Sequence, residues 1–230
     1  MEQRQSGLRR AACRHVRHLE SRAALHPAEQ RQGSEATAGG WQGLEVREKG
    51  SQPDMSYIVR PWTARDLKDV MRLIKESAAF HKALDQVRIT PEVLQADAFE
   101  KEATFGCLVA EVPPEHKSKE GHTIVGYQFH YLSYCTWDGP ILFGEDLYVL
   151  PEFRGRGIGT SLLNKVAKIA LERNCFQFRF VSAKWNQAAT DFFSKLGAVN
   201  VTSQNYWNVL HVDGEHVWKL AEEARRSHPK

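Results

Sequence analysis

The sequence predicts a mixed α/β domain, a central sheet of mixed strand direction covered by helices. Three observations carry that expectation. Segments with period-two alternation and segments with helical periodicity interleave in the order β-α-α-β-β-β-α-β-α-β-β. One β-rich run, Ile141 to Leu150, passes through a glycine-rich loop straight into a helix. The composition, 42% hydrophobic and 26% charged, is that of a soluble globule.

Residues 1 to about 54 stand apart from this pattern. They are rich in Arg, Gln, Glu, Ala and Gly, with few apolar residues and no sustained period. Such a segment buries too little apolar area to offset its ordering entropy, so a disordered extension is expected. Its first eighteen residues hold five arginines and a single acid, Glu2. That is partly like a transit peptide, although the sparse hydrophobic residues fit a solvated tail better. Met55 stands just before the first strand as an alternative start. The expected organisation is an extension over 1–54, a domain over 55–225 and a tail over 226–230.

Ser56 to Arg60 reads as a short strand. Thr63 and Asp66 have capping-box spacing, and the helix after them turns Leu67, Val70, Met71, Ile74 and Ala78 inward, ending near Phe80 and His81. Thr90 and Pro91 open a second helix with Leu94, Ala98 and Phe99 on its apolar face. Phe105 to Val112 is a strand, and Pro113 to Gly121 a charged hairpin loop. Thr123 to Tyr134 is an aromatic-rich strand, with a turn at Trp137 to Pro140 before the strand Ile141 to Leu150. A helix is expected from about Thr160, with Leu162, Leu163, Val166, Ile169 and Ala170 on one face. Gln177 to Ala183 is the next strand, and Gln187 to Leu196 a helix that Gly197 closes. Two strands near Val199 to Thr202 and Trp207 to Val212, then a helix from Glu215 to Arg226, complete the pattern.

The chemistry is written into Arg154, Gly155, Arg156, Gly157, Ile158 and Gly159. Glycines at a strand-to-helix junction let the backbone approach a ligand and take positive φ, and the helix N-terminus then offers amides to phosphate oxygens. Thr160 and Ser161 follow Gly159 where a P-loop needs Lys then Ser or Thr, and the glycine spacing is not that of a dinucleotide fold. A plain turn is the alternative, but it needs neither three glycines at alternate positions nor two flanking arginines.

Arg154-x-x-Gly157-x-Gly159 resembles the coenzyme A signature of the GNAT superfamily of N-acetyltransferases. Trp185, Asn186 and Gln187, then Asp191 to Ala198, resemble that superfamily's second cofactor segment. With Cys107 to Val112 and Ile124 to Tyr127, the ordered set is similar to the spermidine/spermine (diamine) N-acetyltransferase family, including its thialysine-acetylating branch, from about Tyr57 to Leu220. The resemblance implies the GNAT fold, acetyl-CoA as cosubstrate, a small amine as acceptor, direct transfer in a ternary complex, and a homodimer. It implies that Gly155 to Thr160, with Arg154 and Arg156, hold the pyrophosphate. Leu147, Tyr148 and Val149 would offer backbone groups to the pantetheine arm, with an amide near Val149 polarising the thioester carbonyl, and Asn186, Gln187, Ala188 and Ala189 would line the same region.

An ammonium with a pKa of about 10 needs a base at neutral pH. Glu145 matches the family's substrate-binding carboxylate and is assigned to attract the ammonium and accept its proton; a solvated strand-end acid is the alternative. Asp146 is its neighbour, and the two cannot share a pocket without a bulge, since adjacent strand residues point to opposite faces. Phe80, His81, Trp137 and Asn205 fall at the family's substrate positions, with a plain helix-end role the bland reading for His81. The aromatics there could wall an amine pocket or simply belong to the core and a dimer contact.

Two departures from the family pattern stand out. Phe193 occupies the place of the tyrosine that would protonate the leaving thiolate, and a phenyl ring cannot donate a proton. A thiolate leaves tolerably well unaided, so a slowed enzyme is expected, with Tyr148 or Tyr206 as conceivable substitutes. Of the family's several acids, only Glu145 and Asp146 remain, which disfavours a long polycation and favours a smaller amine. The rival readings are a catalytically impaired acyl-CoA-binding relative and a protein-lysine acetyltransferase, the second resting only on the open loop Pro113 to Gly121.

Other classes fare poorly. A net charge of +3 argues against nucleic acid, and no apolar run approaches a membrane span. Four scattered cysteines without a Cys-x-x-Cys point to free thiols in a reducing, cytoplasmic compartment. The ten histidines lack ligand spacing, so no metal is expected.

Overall fold

Six strands form one sheet in sequence order in the computed structural model, which describes residues 46–49, 56–100, 102–175, 177–201, 212 and 216–218. They are β1 (Val46–Lys49), β2 (Ser56–Pro61), β3 (Gly106–Glu111), β4 (Ile124–Cys135), β5 (Gly139–Val149) and β6 (Gln177–Phe180). Neighbours from β1 to β5 are antiparallel, while β5 and β6 are parallel and joined through the helix α3. The helices are α1 (Leu67–Phe80), α2 (Pro91–Gln95), α3 (Ile158–Glu172) and α4 (Gln187–Lys195). This is the mixed, helix-covered sheet that the interleaved periodicities predict.

Strand alternation divides the side chains between two faces. On one face, Ser77 of α1 hydrogen-bonds Asp146 of β5. On the other, the Tyr57 hydroxyl of β2 meets Ser161 of α3 at 2.8 Å, and Lys165 of α3 reaches the Val59 carbonyl at 3.0 Å. Leu73, Leu108, Val109, Val125, Leu142 and Leu162 are fully buried in the core on either side.

The start of α1 is fastened by charge. Arg60, buried in β2, donates to both carboxylate oxygens of Asp66 at 2.7 and 2.8 Å and to Glu111 at 2.7 Å. Burial alone would raise the Asp66 carboxyl. The hydrogen bonds from Arg60 and Thr63 outweigh it and hold the group below its usual range. The Thr63 backbone N–H also donates to Asp66, so the capping box sets a 3₁₀ turn, Ala64–Asp66, ahead of α1.

Several boundaries differ from expectation. Val46–Lys49, inside the expected extension, pairs with Ser56 to Val59 as β1. Helix α2 is short and runs into a π turn, Ala96–Glu100. Helix α3 begins at Ile158, not near Thr160, because Gly157 takes φ +87° and serves as its N-cap. Strand β6 ends at Phe180 rather than Ala183, since the chain leaves the sheet to turn from Ala183 to Asn186 into α4. Val199 and Asn200 are irregular and Val201 is helical, where a strand is expected. His216 to Trp218 are helical, as expected there. The expected strand near Trp207, and with it Asn205 and Tyr206, lies outside the described residues.

Candidate functional site

The site lies where β5 and β6 part. The two strands pair only from Ile141 with Gln177 to Gly144 with Phe180. Beyond that, Leu147, Tyr148 and Val149 pair with β4 along one edge, and among the described residues no strand covers the other. A cavity of about 980 Å³ fills the opening, reaching Ser77, Phe80 and His81 on the α1 face and Phe178, Phe180, Phe192 and Phe193 on the α3 face.

The glycine loop forms one end of the cavity. Gly155, Gly157, Ile158, Gly159 and Thr160 line it. At Gly157 the backbone is left-handed, and an added Cβ would stand 3.3 Å from the Tyr57 hydroxyl, so both conformation and space call for glycine. Ile158 and Leu162 are buried, and the first turn of the fifteen-residue α3, whose leading amides have no partner within the helix, lines the opening. The two loop arginines part company: Arg154 lines the cavity and Arg156 does not. Arg154 donates through Nε to the Val149 carbonyl at 2.9 Å and lays its guanidinium over the rings of Phe80 and Tyr148. Arg156 packs over Phe153 and does not line the cavity.

The carboxylate pair forms the other end. Asp146 pairs with Phe129 and Gly144 with His130, so Glu145 is an extra residue in β5 opposite a register shift in β4. This is the bulge that lets both acids line the cavity. Gly144 has no room for a Cβ, which would fall 2.8 Å from the Phe178 ring. Behind the bulge, Gln128 donates to the Phe129 carbonyl and pairs its Oε1 with His130 Nδ1 at 2.8 Å. Burial drives the His130 pKa down to about 4. Glu145 is exposed and hydrogen-bonds Tyr131, whose phenol is pushed up by burial and by that carboxylate. Asp146 is half-buried and accepts from Tyr127 and Ser77.

Phe80, His81 and Trp185 meet ring to ring at the cavity mouth, with centroids 5.2 to 5.6 Å apart. His81 Nδ1 pairs with the Ser77 carbonyl at 2.9 Å, the helix-end role of the bland reading. Asn186 caps α4 by accepting from the Ala189 amide at 3.2 Å; it, Ala188 and Ala189 line the cavity, whereas Gln187 points to Asp191. Phe193 lines the cavity and stacks on Phe180 at 4.0 Å. Tyr148 pairs with Tyr127, on the opposite face from the register partners His130, Gly144 and Phe180, so its hydroxyl is not beside Phe193. Trp137 sits on the exposed β4–β5 turn, outside the cavity lining. Sequence reading assigned no site role to Ser77, Tyr127 or Gln128, and it placed Trp185 in the second cofactor segment, not beside Phe80 and His81. The available signal was Ser77 itself, a polar residue on the apolar stripe of Val70, Leu73 and Ile74.

Comparisons with known proteins point to one family. A family model described as "Acetyltransferase (GNAT) family" matches residues 71–198. The chain is 40% identical over 166 residues to thialysine N-epsilon-acetyltransferase of Sus scrofa, covering 72% of this chain and 98% of that protein, and equally similar to the one from Mus musculus. It is 34% identical over 173 residues to spermidine/spermine N(1)-acetyltransferase-like protein 1 of Homo sapiens, covering 75% of this chain and 25% of that protein. Among solved structures, an integron cassette protein from the mobile metagenome of V. cholerae superposes with a TM-score of 0.55 at 17% identity, covering 72% of this chain and 98% of that one. A soil-metagenome aminoglycoside acetyltransferase superposes at 0.52 and 19% identity, covering 69% and 95%. At such identities the two structures speak for the fold alone.

Proposed function

The chain belongs to the GNAT acetyltransferase family, and from that premise we propose that it moves acetyl from acetyl-CoA to a primary amine of a small polyamine or thialysine-like amino acid, by direct transfer in a ternary complex. The observation that carries this reading is a single cavity holding a glycine-lined helix N-terminus at one end and a bulged carboxylate pair at the other. The residues present fit acetyl-CoA. The left-handed Gly157 leaves the α3 amides open to a pyrophosphate, and the edge of Leu147 to Val149, which no described strand covers and where Arg154 takes the Val149 carbonyl, has the geometry to accept an extended amide-bearing arm. Bound there, acetyl-CoA supplies the activated thioester. Gly155 to Thr160 hold its phosphates with Arg154 and Arg156 adding positive charge nearby, and Asn186 to Ala189 wall the same end. Glu145 draws in the ammonium and takes its proton through water, with Asp146 beside it. Phe80 and His81 flank the acceptor. The residue 55–225 unit carries the activity, with β1 as an added edge.

We also assign a homodimer and a reducing, cytoplasmic setting. The exposed Leu132, Tyr134 and Trp137 on the β4–β5 hairpin support the first, and the free thiols of Cys107, Cys135 and Cys175 the second. Among the described residues no helix is long and apolar enough to cross a membrane. A non-catalytic or protein-directed reading is not favoured: Phe193 is the main departure, and the relatives matched over nearly their full length are named thialysine N-epsilon-acetyltransferases.

The test is coenzyme A release from acetyl-CoA with thialysine, lysine, putrescine and spermidine, for the parent and Phe193→Tyr. Turnover by the parent is expected, thialysine ahead of spermidine, with the variant faster by up to ~10²-fold as a proton donor is restored. Failure of both proteins to release coenzyme A while still binding acetyl-CoA would overturn the reading.

A further inference from the structure

Of the two acids on the bulge, one is held far more firmly than the other. Glu145 is exposed and meets Tyr131 near the surface. Asp146 is gripped from two elements. Ser77 Oγ of α1, 69 residues away in sequence, stands 3.2 Å from Asp146 Oδ2, and the Tyr127 hydroxyl of β4 donates to that same oxygen. Ser77 Oγ also reaches Oδ1, at 3.4 Å, so Oδ2 takes both hydroxyls while Oδ1 shares one long contact and is the better placed to accept from a ligand in the cavity.

Tyr127 itself has no freedom to drift. Its side chain is fully buried, with Phe129 edge-on at 5.3 Å and Tyr148 at 6.5 Å between centroids. Burial, reinforced by the charge of Asp146, pushes its phenol well above the usual range, so the hydroxyl keeps its proton and acts as a donor. A polar hydroxyl this deep in an aromatic core has a cost that a phenylalanine would avoid. Its partner, Asp146, reaches the cavity that Tyr127 itself does not line.

We propose that Tyr127 and Ser77 are positioning residues, a two-hydroxyl clasp that aims the Asp146 carboxylate so that its Oδ1 receives the acceptor ammonium. This rests on the amine-acetyltransferase reading above. Asp146 is then the fixed anchor for the amine and Glu145 the more exposed acid that handles the proton. The clasp acts on the amine end of the cavity and leaves the glycine loop untouched, since Gly157 lies on the other side of the β5 edge, over Tyr57. A fixed anchor also selects. It suits a primary ammonium brought to one place, and it gives little to the remainder of a long chain.

The experiment is a double-mutant cycle on the full chain, with kcat/KM for thialysine and acetyl-CoA affinity by calorimetry measured for the parent, Tyr127→Phe, Asp146→Asn and the pair. Tyr127→Phe should lower kcat/KM for the amine roughly tenfold through a raised KM, with acetyl-CoA affinity within about twofold of the parent. In the Asp146→Asn background the same change should cost less than about twofold, because the clasp then has nothing charged to aim. Ser77→Ala, a change on α1 that leaves the Tyr127 ring in place, should reproduce part of the loss and guards against a folding defect in Tyr127→Phe. Equal losses in both backgrounds, a matching loss of acetyl-CoA affinity, or no loss in either Tyr127→Phe or Ser77→Ala overturns the clasp while the function stands. A parent that neither binds acetyl-CoA nor acetylates any amine removes the proposed function, and the clasp with it.

Discussion

The glycine-loop end of the cavity is made of backbone resting on a buried floor, whereas the end assigned above to the amine is made of side chains, several of them half in solvent. Under the glycine loop lie Ile158, Leu162 and Tyr57, all buried. At the amine end, Phe80 is 41% exposed and Trp185 59%. Backbone amides can be aimed only by fixing φ and ψ, so the first end must be rigid and glycine-dependent. Side chains at the second can change identity without disturbing the fold, which is how members of one family can keep a cosubstrate and vary the acceptor.

That contrast can be broken at the loop. Gly157→Val places a β-branched residue at φ +87° and pushes a Cβ against the Tyr57 hydroxyl. Acetyl-CoA affinity by calorimetry should fall by roughly a hundredfold or more as the amides lose their aim. Unchanged affinity would mean that the loop does not hold the cosubstrate.

A second experiment probes the seam between the two ends. His130 supports the bulge through Gln128, and its pKa is lowered to about 4 by burial. The unfolded chain, with a histidine pKa of about 6.5, therefore binds more protons between pH 6.5 and 4, and stability is lost as pH falls through that window. The loss should reach about 2 kcal/mol between pH 7 and pH 5. Denaturant unfolding of the parent and His130→Gln at both pH values measures it; the variant should lack that increment. Equal pH slopes would show that His130 is not held neutral.

The smallest effect is expected at the mouth. Trp185→Ala removes one ring from the cluster with Phe80 and His81. It should raise the amine KM by ~2- to 5-fold, in keeping with ~0.5–1 kcal/mol for an exposed aromatic contact, with acetyl-CoA affinity unchanged. A loss of acetyl-CoA affinity instead would erase the distinction between the two ends.

The same contrast governs what could be read in advance. Interleaved periodicity specified the sheet and its helices, because side-chain alternation and amphipathic stripes are local. The glycine loop was legible because positive φ leaves its mark on residue type at one short stretch. Adjacent Glu145 and Asp146 marked the acids, but not that β5 carries an extra residue opposite Phe129 and His130, since a bulge is set by how two strands register. Arg154 was expected at the phosphates on its motif alone; its place over Phe80 and Tyr148 depends on a helix end more than seventy residues earlier.

By itself the sequence determined the fold class, the family and the backbone end of the cavity, all carried by patterns within a few consecutive residues. The tertiary structure alone decided which acid is clasped, which arginine turns away, and that Ser77 and Tyr127 meet at Asp146. Those are contacts between α1, β4 and β5, and a hydrogen bond across 69 residues leaves no periodic trace in the chain that makes it.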